Sequence, residues 1–355
     1  MGSREHARRG HTVAIAAPGD GELARRARDA GLTVYGAFGF HKPRRAVSLA
    51  RDVARLRKVM ASFAPDLLHS HGSQDTWTAA FANRFGGPGI PHLMTRHNSK
   101  RVADNAANRW LYRRGLDRLV AVSGGVLERY EAFFRRGVLD PARVPVIPSS
   151  IDFARYDAPL DPGRLRGELG IDAAAPIVGQ VGRLVRDKGQ DVLIRAFADV
   201  LAARPAAHLV LAGTGTQEQP LRALASGTGI AERVHFLGFR NDVPDLTAAL
   251  DVAVLASVDC DASPASVKEA MYLRKPVVVT DIGGLREMVD DAVTGRVVPP
   301  GDSGALAGAI LELLGDPAGS AAMGARARDI VRTRYSLAAL ADAYEKVYAE
   351  IVTPR

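Results

Sequence analysis

Short apolar runs alternate with helical patterns along the whole of this chain, and this alternation restricts the fold more than any other feature. Six runs in the first 150 residues indicate strands: HTVAIAA, LTVYG, DLLHSHG, IPHLMTRH, LVAVS and VPVIPS. Six more follow them: APIVGQVG, AHLVLAG, RVHFLG, VAVLAS, KPVVVTD and GRVVPP. Helical stretches such as VSLARDVARLRKVMASF, QDVLIRAFADVLAA and LAALADAYEKVYAEIV lie between or after them. Strands that alternate with helices predict an α/β fold of doubly wound parallel sheets, covered by helices on both faces.

The length of 355 residues predicts two such domains, because a single core rarely grows that large. We place them at residues 1–150 and 151–334, on either side of a Pro- and Asp-containing stretch, and expect a helix over 335–355 to pack back on the first domain. Ligands are expected at the carboxyl ends of the strands, in a cleft that the two domains face. The opening REHARRG indicates the end of a helix with no strand before it, so we expect the first sheet to lack its usual first strand.

Three features favour a cytoplasmic protein. The single cysteine, Cys260, excludes an internal disulfide framework, and we interpret it as a small buried residue. No stretch approaches the roughly 18 uninterrupted apolar residues of a membrane span. The charged start, MGSREHARRG, is not followed by the apolar centre of a signal peptide.

Charge is distributed unevenly along the chain. Residues 1–150 carry 25 Lys/Arg against 12 Asp/Glu, and the remainder carries 22 against 27, within a net charge of +8. A basic first domain suits the anionic inner face of the cytoplasmic membrane, at about 1 kcal/mol per well-placed cation, and peripheral attachment is therefore a further expectation. The candidate contact is FGFHKPRR at 38–45 running into AVSLARDVARLRKVM, although an ordinary amphipathic helix explains it equally well. Nucleic acid is not expected as a partner, because the cations lack interleaved aromatic residues and a binding motif.

The segment APIVGQVGRLVRDKGQDVLIRAF predicts an anion site at a strand-to-helix turn. A strand ends at Gly182, the turn carries Arg183 and Lys188, and a helix follows. Glycine permits close approach of a ligand, and two cations beside a helix N-terminus favour an anion such as a diphosphate. Two solvated surface cations would give the same pattern.

The segment SVDCDASPASVKEAMYLRKPVVV brings two carboxylates to the start of a later helix. We predict Ser263 as the helix N-cap and Pro264 as the first helical residue, which puts Asp261 just before the helix and Glu269 between one and two turns inside it. An acid and nucleophile pair of a glycosidase is disfavoured, because both carboxylates come from one short segment. Recognition of the hydroxyls of a sugar and a ribose explains the pattern better, and two ordinary surface carboxylates are the alternative.

Further glycines and three histidines stand at other strand ends. Gly213 and Gly215 form a G-x-G turn, a weak signal that is more often a tight turn than a ligand contact. His69 and His71 alternate at the end of one strand, and His97 follows the next. No third ligand has convincing spacing, so we predict no metal site; a histidine there can instead hydrogen-bond a sugar.

Taken in order, these segments resemble the retaining GT-B glycosyltransferases of family 4, from about His11 to the C-terminus. VGRLVRDKG is similar to the family segment G-R-L-x-x-x-K-G, and DASPASVKEAM is similar to its E-x7-E motif. The resemblance implies that Arg183 and Lys188 bind the donor diphosphate, that Asp261 binds hydroxyls of the donor sugar, and that Glu269 binds the ribose. Further donor contacts implied by the resemblance are His97 near the sugar, the backbone at Phe239 and Arg240 near the base, and Gly182, Gly213, Gly215, Ser263, Pro264 and Ala265.

The implied activity is metal-independent, retaining transfer of a hexosyl unit from a UDP- or GDP-sugar to a glycan or lipid-linked acceptor. No cofactor is implied beyond the nucleotide diphosphate sugar itself, and bacterial surface polysaccharide or lipopolysaccharide synthesis is the implied setting. Three features depart from the family pattern: Asp261 is one methylene shorter than the usual Glu, VIPSSID lacks the usual Asn-Gly, and the glycine-rich first strand is missing. A nucleotide-sugar-binding paralogue without activity and a GT-B sugar-nucleotide epimerase are the alternatives.

Overall fold

The computed structural model describes residues 2–40, 46–259 and 261–352. The chain divides into two compact units, one formed by the residues up to Pro148 together with those from Leu337 onward, the other by Ser149–Ser336. Both contain parallel strands with surrounding helices, which confirms the predicted α/β class.

The first unit has two small parallel sheets. Strands β1 and β2 pair with each other, and β3, β4 and β5 form a second sheet in that order. The first described element is a helix, as the REHARRG pattern predicts. The elements in chain order are α1 Gly2–Arg8, β1 Ala14–Ala16, α2 Glu22–Asp29, β2 Thr33–Tyr35, α3 Ala46–Phe63, β3 Leu68–Ser70, α4 Ser73–Arg84, β4 His92–Arg96, α5 Ala106–Trp110, β5 Arg118–Ala121, α6 Gly124–Leu127 and α7 Glu131–Arg135.

The predicted strand VPVIPS is wrong. Only Val146 forms an isolated parallel bridge, with Ala121, and the backbone bonds stop at Ile147. Pro145 and Pro148 lack the N–H groups that a continuing ladder needs, so two prolines three residues apart limit the pairing to one position.

The second unit is built on one six-stranded parallel sheet in the order β11-β10-β9-β6-β7-β8. The chain adds β7 and β8 on one side of β6 and then returns to add β9, β10 and β11 on the other, so its topological switch point lies between β6 and β9. The elements are α8 Ala154–Asp157, α9 Pro162–Leu169, β6 Ile177–Val181, α10 Gln190–Ala203, β7 His208–Ala212, α11 Glu218–Gly227, β8 Val234–Gly238, α12 Val243–Ala249, β9 Val252–Leu255, α13 Ala265–Tyr272, β10 Val277–Thr280, β11 Arg296–Val298, α14 Ser303–Gly315 and α15 Pro317–Arg334.

Burial on both faces makes this sheet the core of the second unit. Leu209 and Leu211 pack into one hydrophobic cluster, whereas Val210 between them packs into another on the opposite face. Strand side chains alternate between faces, so the continuously apolar runs LVLA in β7 and VVV in β10 are what a sheet with two covered faces requires. The start of α15 follows local rules: the Asp316 carboxylate accepts a bond from Gly319 N at 2.9 Å, and Pro317 is the first helical residue.

The last helix, α16 (Leu337–Ile351), packs on the three-stranded sheet of the first unit. Tyr344 and Val347 lie in one cluster with Leu93 of β4 and Val120 of β5. The Tyr344 hydroxyl also lies 2.7 Å from the Thr95 hydroxyl. In the described part of the chain, none of the helices combines the length and the apolar character that crossing a membrane would take.

Candidate functional site

The carboxyl ends of β6 and β9 are tied together at the switch point of the second unit. The Gln180 side chain, buried on β6, donates to the Lys188 carbonyl at 2.8 Å and accepts from Ala256 N at 3.4 Å. Val258 N donates to the Asp187 carbonyl at 3.0 Å. The turn after β6 and the loop after β9 therefore form one structure at the place where open α/β sheets bind ligands.

Lys188 and Asp261 meet at this place. Lys188 Nζ lies 2.5 Å from Asp261 Oδ2, and the Ser257 hydroxyl donates to the same oxygen at 2.7 Å. Asp261 is only 8% exposed, and the partners of its Oδ2 are one ammonium group and one hydroxyl. The structure thus joins one residue from each of the two motifs that the sequence singles out.

Gly189 allows the two segments to approach so closely. Its φ is +61°, and a Cβ there would lie 1.9 Å from the Ala256 carbonyl oxygen. The same residue precedes α10, whose first turn begins directly after the 3₁₀ turn Arg186–Lys188. The partial positive charge of the α10 N-terminus is therefore added to that of Lys188.

Arg183 lies on the same turn and points away from the core. It is exposed, its carbonyl accepts from the Gln190 side chain at 2.9 Å, and its guanidinium forms no ion pair within the described residues. At the preceding Gly182, a Cβ would meet nothing within 4 Å. The turn therefore offers an open backbone surface next to an uncompensated cation.

Gly213 and Gly215 have a packing role. Added Cβ atoms would lie 2.0 Å from the Gly182 carbonyl oxygen and 2.1 Å from the Leu184 carbonyl oxygen respectively. The Gly213 N–H is bonded to the Gly238 carbonyl at 2.8 Å and is therefore not available to a ligand. The G-x-G turn therefore packs directly against the backbone of the neighbouring G-R-L turn.

The helix after Asp261 starts one residue later than predicted. Its N-cap is Pro264 and its first residue is Ala265, and Ser263 does not cap it. The Ser263 hydroxyl is instead occupied by Lys268 Nζ at 2.9 Å and by the Ser149 hydroxyl at 3.1 Å. A tertiary contact therefore displaces the local capping interaction that the sequence suggests.

Lys268 is a residue that the sequence analysis missed. Its side chain is fully buried, and Nζ lies 2.6 Å from Ser149 O, 2.7 Å from Ser149 Oγ and 3.3 Å from Ser263 O. Burial lowers its pKa to about 7, while the charges of Glu269 and Asp261 act in the opposite direction. Its burial could have been suspected from the sequence, because Lys268 stands beside Val267 in a helix whose other buried residues are mainly apolar.

Glu269 lies next to it on α13 and is half-buried. It makes no ion pair within the described residues, neither with Lys268 nor with Arg274. Burial raises the pKa of Glu269, whereas the Tyr156 hydroxyl and the charges of Arg155 and Lys268 lower it. Its carboxylate is thus a partly desolvated acceptor, which suits paired hydroxyl donors.

Phe239 and Arg240 follow β8 at the same edge of the sheet. The Phe239 side chain is 74% exposed. The Arg240 guanidinium is held by Glu168 at 2.6 Å and by Asp242 at 2.6 Å, so its charge is already neutralised. Only the aromatic face of Phe239 and the local backbone remain for a planar ligand.

In the first unit, His97 forms part of a chain of imidazoles. His71 Nδ1 lies 2.9 Å from His97 Nε2, and the His69 ring stacks on His71 with centroids 4.2 Å apart. His69 in turn contacts Thr95 Oγ1 at 2.7 Å. Desolvation and the neighbouring His97 lower the pKa of His71 to about 4, so the ring is a neutral hydrogen-bonding group near pH 7.

A cavity in the first unit is lined in part by residues that are close in sequence to these histidines. It combines cations, hydroxyls and an aromatic wall; its lining includes Ser73, Thr76, Trp77, Arg96, Arg101, Asn108 and Tyr112. Such a surface suits a polar ligand with an anionic group. Cys260 and residues 41–45 of the predicted basic segment lie outside the described residues.

Two family models match the chain. The model described as Glycosyltransferase Family 4 matches residues 3–155, and the model described as Glycosyl transferases group 1 matches residues 163–330. A GDP-mannose-dependent monoacylated alpha-(1-6)-phosphatidylinositol monomannoside mannosyltransferase of Corynebacterium glutamicum is 36% identical over 206 residues. The match covers 54% of this chain and 52% of that relative, so the chain spans about half of the relative's length.

Solved structures have a similar fold. A glycosyltransferase from Rickettsia africae superposes with a TM-score of 0.86 at 18% identity, covering 100% of this chain and 94% of that one. The Anabaena protein HepE in complex with UDP-glucose gives a TM-score of 0.81 at 24% identity, with 98% and 93% covered. At these identities the likeness shows the two-domain α/β fold.

Proposed function

The chain belongs to the family 4 glycosyltransferases of GT-B fold, and we propose that it transfers a hexosyl unit from a UDP- or GDP-sugar to a glycan or glycolipid acceptor. One relative depends on GDP-mannose and one structural neighbour holds UDP-glucose, which supports a nucleotide diphosphate sugar as donor. A lipopolysaccharide core mannosyltransferase of Rhizobium meliloti, 31% identical over 215 residues, supports surface glycan synthesis as the setting.

The contact between Lys188 and Asp261 carries this proposal. It puts a cation for a diphosphate and a carboxylate for sugar hydroxyls 2.5 Å apart, at the switch point of the sheet. A nucleotide diphosphate sugar has these two chemical groups next to each other, joined by the bond that the reaction breaks. Before the donor binds, the ion pair neutralises both groups, and donor binding replaces each partner with a ligand atom.

Arg183, Lys188 and the α10 N-terminus would stabilise the leaving diphosphate. The bond between the anomeric carbon and the phosphate oxygen breaks, and negative charge grows on that oxygen. Fixed positive charge that is already oriented stabilises this change without reorganisation, and removing one such group typically costs about a hundredfold or more in rate.

We propose retention of configuration without a metal ion. The acceptor hydroxyl oxygen bonds to the anomeric carbon on the face from which the diphosphate leaves, and its proton passes to a phosphate oxygen of the departing group. Asp261 and Glu269 would orient the donor through its sugar and ribose hydroxyls, so that binding energy positions the anomeric carbon. His97 would contribute a neutral imidazole to the sugar.

The acceptor is expected in the first unit. Arg96 and Arg101 in its cavity suit an acceptor that carries a phosphate or another anionic group, and Trp77 and Tyr112 suit the apolar face of a sugar or cyclitol ring.

A nucleotide panel tests the donor site first. UDP, GDP, ADP and their sugar conjugates are compared by thermal shift, since a ligand of the folded state raises the melting temperature by mass action. We expect UDP or GDP to stabilise the native chain and Lys188→Ala to abolish that shift. Arg186→Ala is the matched control, because Arg186 is an exposed cation on the same turn. No shift with any nucleotide would contradict the proposal.

Transfer itself is measured with the donor that the panel identifies. Lys188→Ala and Glu269→Ala should lose transfer at least about a hundredfold while still folding. The anomeric configuration of the product reports retention, and unchanged rates in EDTA report metal independence. Near-normal turnover in both variants would refute the site assignment.

A further inference from the structure

Two histidines and a glutamate converge in the first unit, remote in sequence from the residues assigned above. His6 lies on α1, His11 precedes β1, and Glu345 lies on α16. His6 Nδ1, His11 Nε2 and one Glu345 carboxylate oxygen all lie within 4.8 Å of one another. Two imidazoles and one carboxylate are a ligand set found in zinc sites.

The spacing of these atoms fits a common central ion. Glu345 Oε1 lies 3.5 Å from His6 Nδ1 and 3.3 Å from His11 Nε2. In a tetrahedral zinc site with bonds of about 2.0–2.1 Å, neighbouring ligand atoms are about 3.3 Å apart. Two of the three ligand separations therefore already have the required length.

Two of the three atoms are buried and have only long polar contacts. His6 Nδ1 and Glu345 Oε1 are shielded from solvent, and within the described residues neither their 3.5 Å contact with each other nor the 3.3 Å contact of Oε1 with His11 Nε2 is aligned as a hydrogen bond. His6 is only 8% exposed. Buried polar atoms are almost always satisfied in native proteins, and leaving them unmatched costs stability. An ion between them would satisfy both.

The surrounding charges accommodate a cation. Arg9 lies 3.0 Å from the other Glu345 oxygen, Oε2, and leaves Oε1 to the histidines. Arg9 also pairs with Asp342 at 2.6 Å and with Glu5 at 3.1 Å, and Glu5 pairs with Arg8 at 2.7 Å. Three carboxylates thus face two guanidinium groups, which leaves one negative charge before a metal binds.

We propose that His6, His11 and Glu345 form a divalent transition-metal site, with zinc as the preferred ion and water at the fourth position. The nitrogen-rich donor set selects against magnesium and calcium, which prefer oxygen ligands. Such an ion would connect α1 and the start of β1 to α16, and so fix both ends of the described chain to each other within the first unit. The site is structural and takes no part in the proposed transfer reaction.

Metal binding to the untagged protein tests this proposal. After dialysis against EDTA, Zn²⁺ is titrated calorimetrically, and Co²⁺ is added separately to record visible absorption. We expect one equivalent of Zn²⁺ with submicromolar affinity, the intense visible bands of tetrahedral Co²⁺, and a higher melting temperature with zinc. Glu345→Gln and His11→Gln should each weaken binding by more than about a hundredfold, because even the loss of an outer-shell contact costs about ten- to a hundredfold.

Two variants distinguish loss of the metal site from loss of charge on α16 and from misfolding. Glu350→Gln removes a carboxylate from the same helix, one that pairs with Arg118 at 2.9 Å, and it should bind zinc like the native chain. His11 is about half exposed, so His11→Gln should fold even if Glu345→Gln does not. Failure of the native chain to bind one equivalent, or equal binding by His11→Gln, would overturn the proposal.

Discussion

At the scale of single residues, the ion pair between Lys188 and Asp261 has a measurable consequence. In the proposed donor complex the diphosphate would replace Asp261 as the partner of the Lys188 ammonium, which Asp261 contacts at 2.5 Å in this structure. We predict that Asp261→Asn binds the free nucleoside diphosphate about fivefold more tightly than the native chain, one ion pair being worth about 1 kcal/mol. The same variant should transfer sugar far more slowly, because it loses the acceptor for the donor hydroxyls.

Calorimetric titration with the nucleoside diphosphate and with the intact donor checks this prediction. Ser257→Ala is the control, because it removes the other contact of Asp261 Oδ2 without releasing Lys188. Weaker binding of the free diphosphate by Asp261→Asn would show that Asp261 positions Lys188 rather than competing with its ligand.

Lys268 predicts a particular pH dependence of stability. Its pKa is about 7 in the folded protein against about 10.5 in an unfolded chain, so between these values only the unfolded state holds the proton. The free energy of unfolding should therefore be flat below pH 7 and rise above it, by at most about 1.4 kcal/mol per pH unit. Denaturant unfolding of the native chain and of Lys268→Met is measured from pH 6 to 10. The difference between their free energies of unfolding at each pH gives the contribution of Lys268. A constant difference would mean that the four oxygens around Nζ keep the ammonium charged throughout.

At the scale of elements, glycines with different surroundings should respond in opposite ways. Gly189→Ala forces a Cβ to within 1.9 Å of a backbone oxygen at φ +61°, so we expect a loss of at least about 2 kcal/mol in the free energy of unfolding. Gly167→Ala lies within α9 and meets nothing within 4 Å, so it should stabilise by about 0.5–1 kcal/mol. Urea denaturation of both variants measures these changes. Tolerance of Gly189→Ala would show that the β6 and β9 loops are not locked together.

The described part of the predicted basic segment supports a membrane test. On α3 the exposed cations Arg51, Arg55 and Lys58 are spaced i, i+4 and i+7, and therefore form one stripe. At about 1 kcal/mol per cation, replacing all three by Gln should reduce partitioning to anionic vesicles by roughly a hundredfold at low salt. Sedimentation with anionic and neutral vesicles measures this. Equal partitioning to both kinds of vesicle would refute peripheral attachment.

These elements also show which features can be predicted from the sequence. The strand runs of the second unit and the helix 190–203 are found as predicted, because the spacing of apolar residues within each segment determines which positions are buried. The start of α13 is not, because Lys268 and Ser149 take the Ser263 hydroxyl from positions that no local window contains. The strand VPVIPS fails because its two prolines limit pairing. Local patterns therefore predict most of these elements, whereas a contact between distant side chains decides where α13 begins.

At the scale of the whole molecule, the same limit applies to sites. The pairing of Lys188 with Asp261 can be anticipated, because both follow strands of one parallel sheet and such strands end at one edge. The cluster of His6, His11 and Glu345 cannot, since the expected return of the last helix to the first domain does not fix which of its residues contact His6 and His11. Motif spacing finds ligands only when they are close in sequence or at the ends of neighbouring strands.

The division into two units predicts that ligands and core mutations act on separate parts of the chain. A nucleoside diphosphate should slow amide hydrogen exchange at 182–189 and around Ser257, because these loops carry the proposed diphosphate and sugar contacts. Tyr344→Ala removes a buried ring from the α16 contact and should speed exchange in β4 and β5, with a cost of about 3 kcal/mol or more to the first unit. Exchange followed by mass spectrometry resolves both effects in one experiment. Tyr348→Phe is the control, because it keeps the ring on the same helix and removes only the hydroxyl 3.0 Å from His69. Faster exchange in the second unit of Tyr344→Ala, or nucleotide protection confined to the first unit, would contradict the assignment of the donor site to residues 149–336.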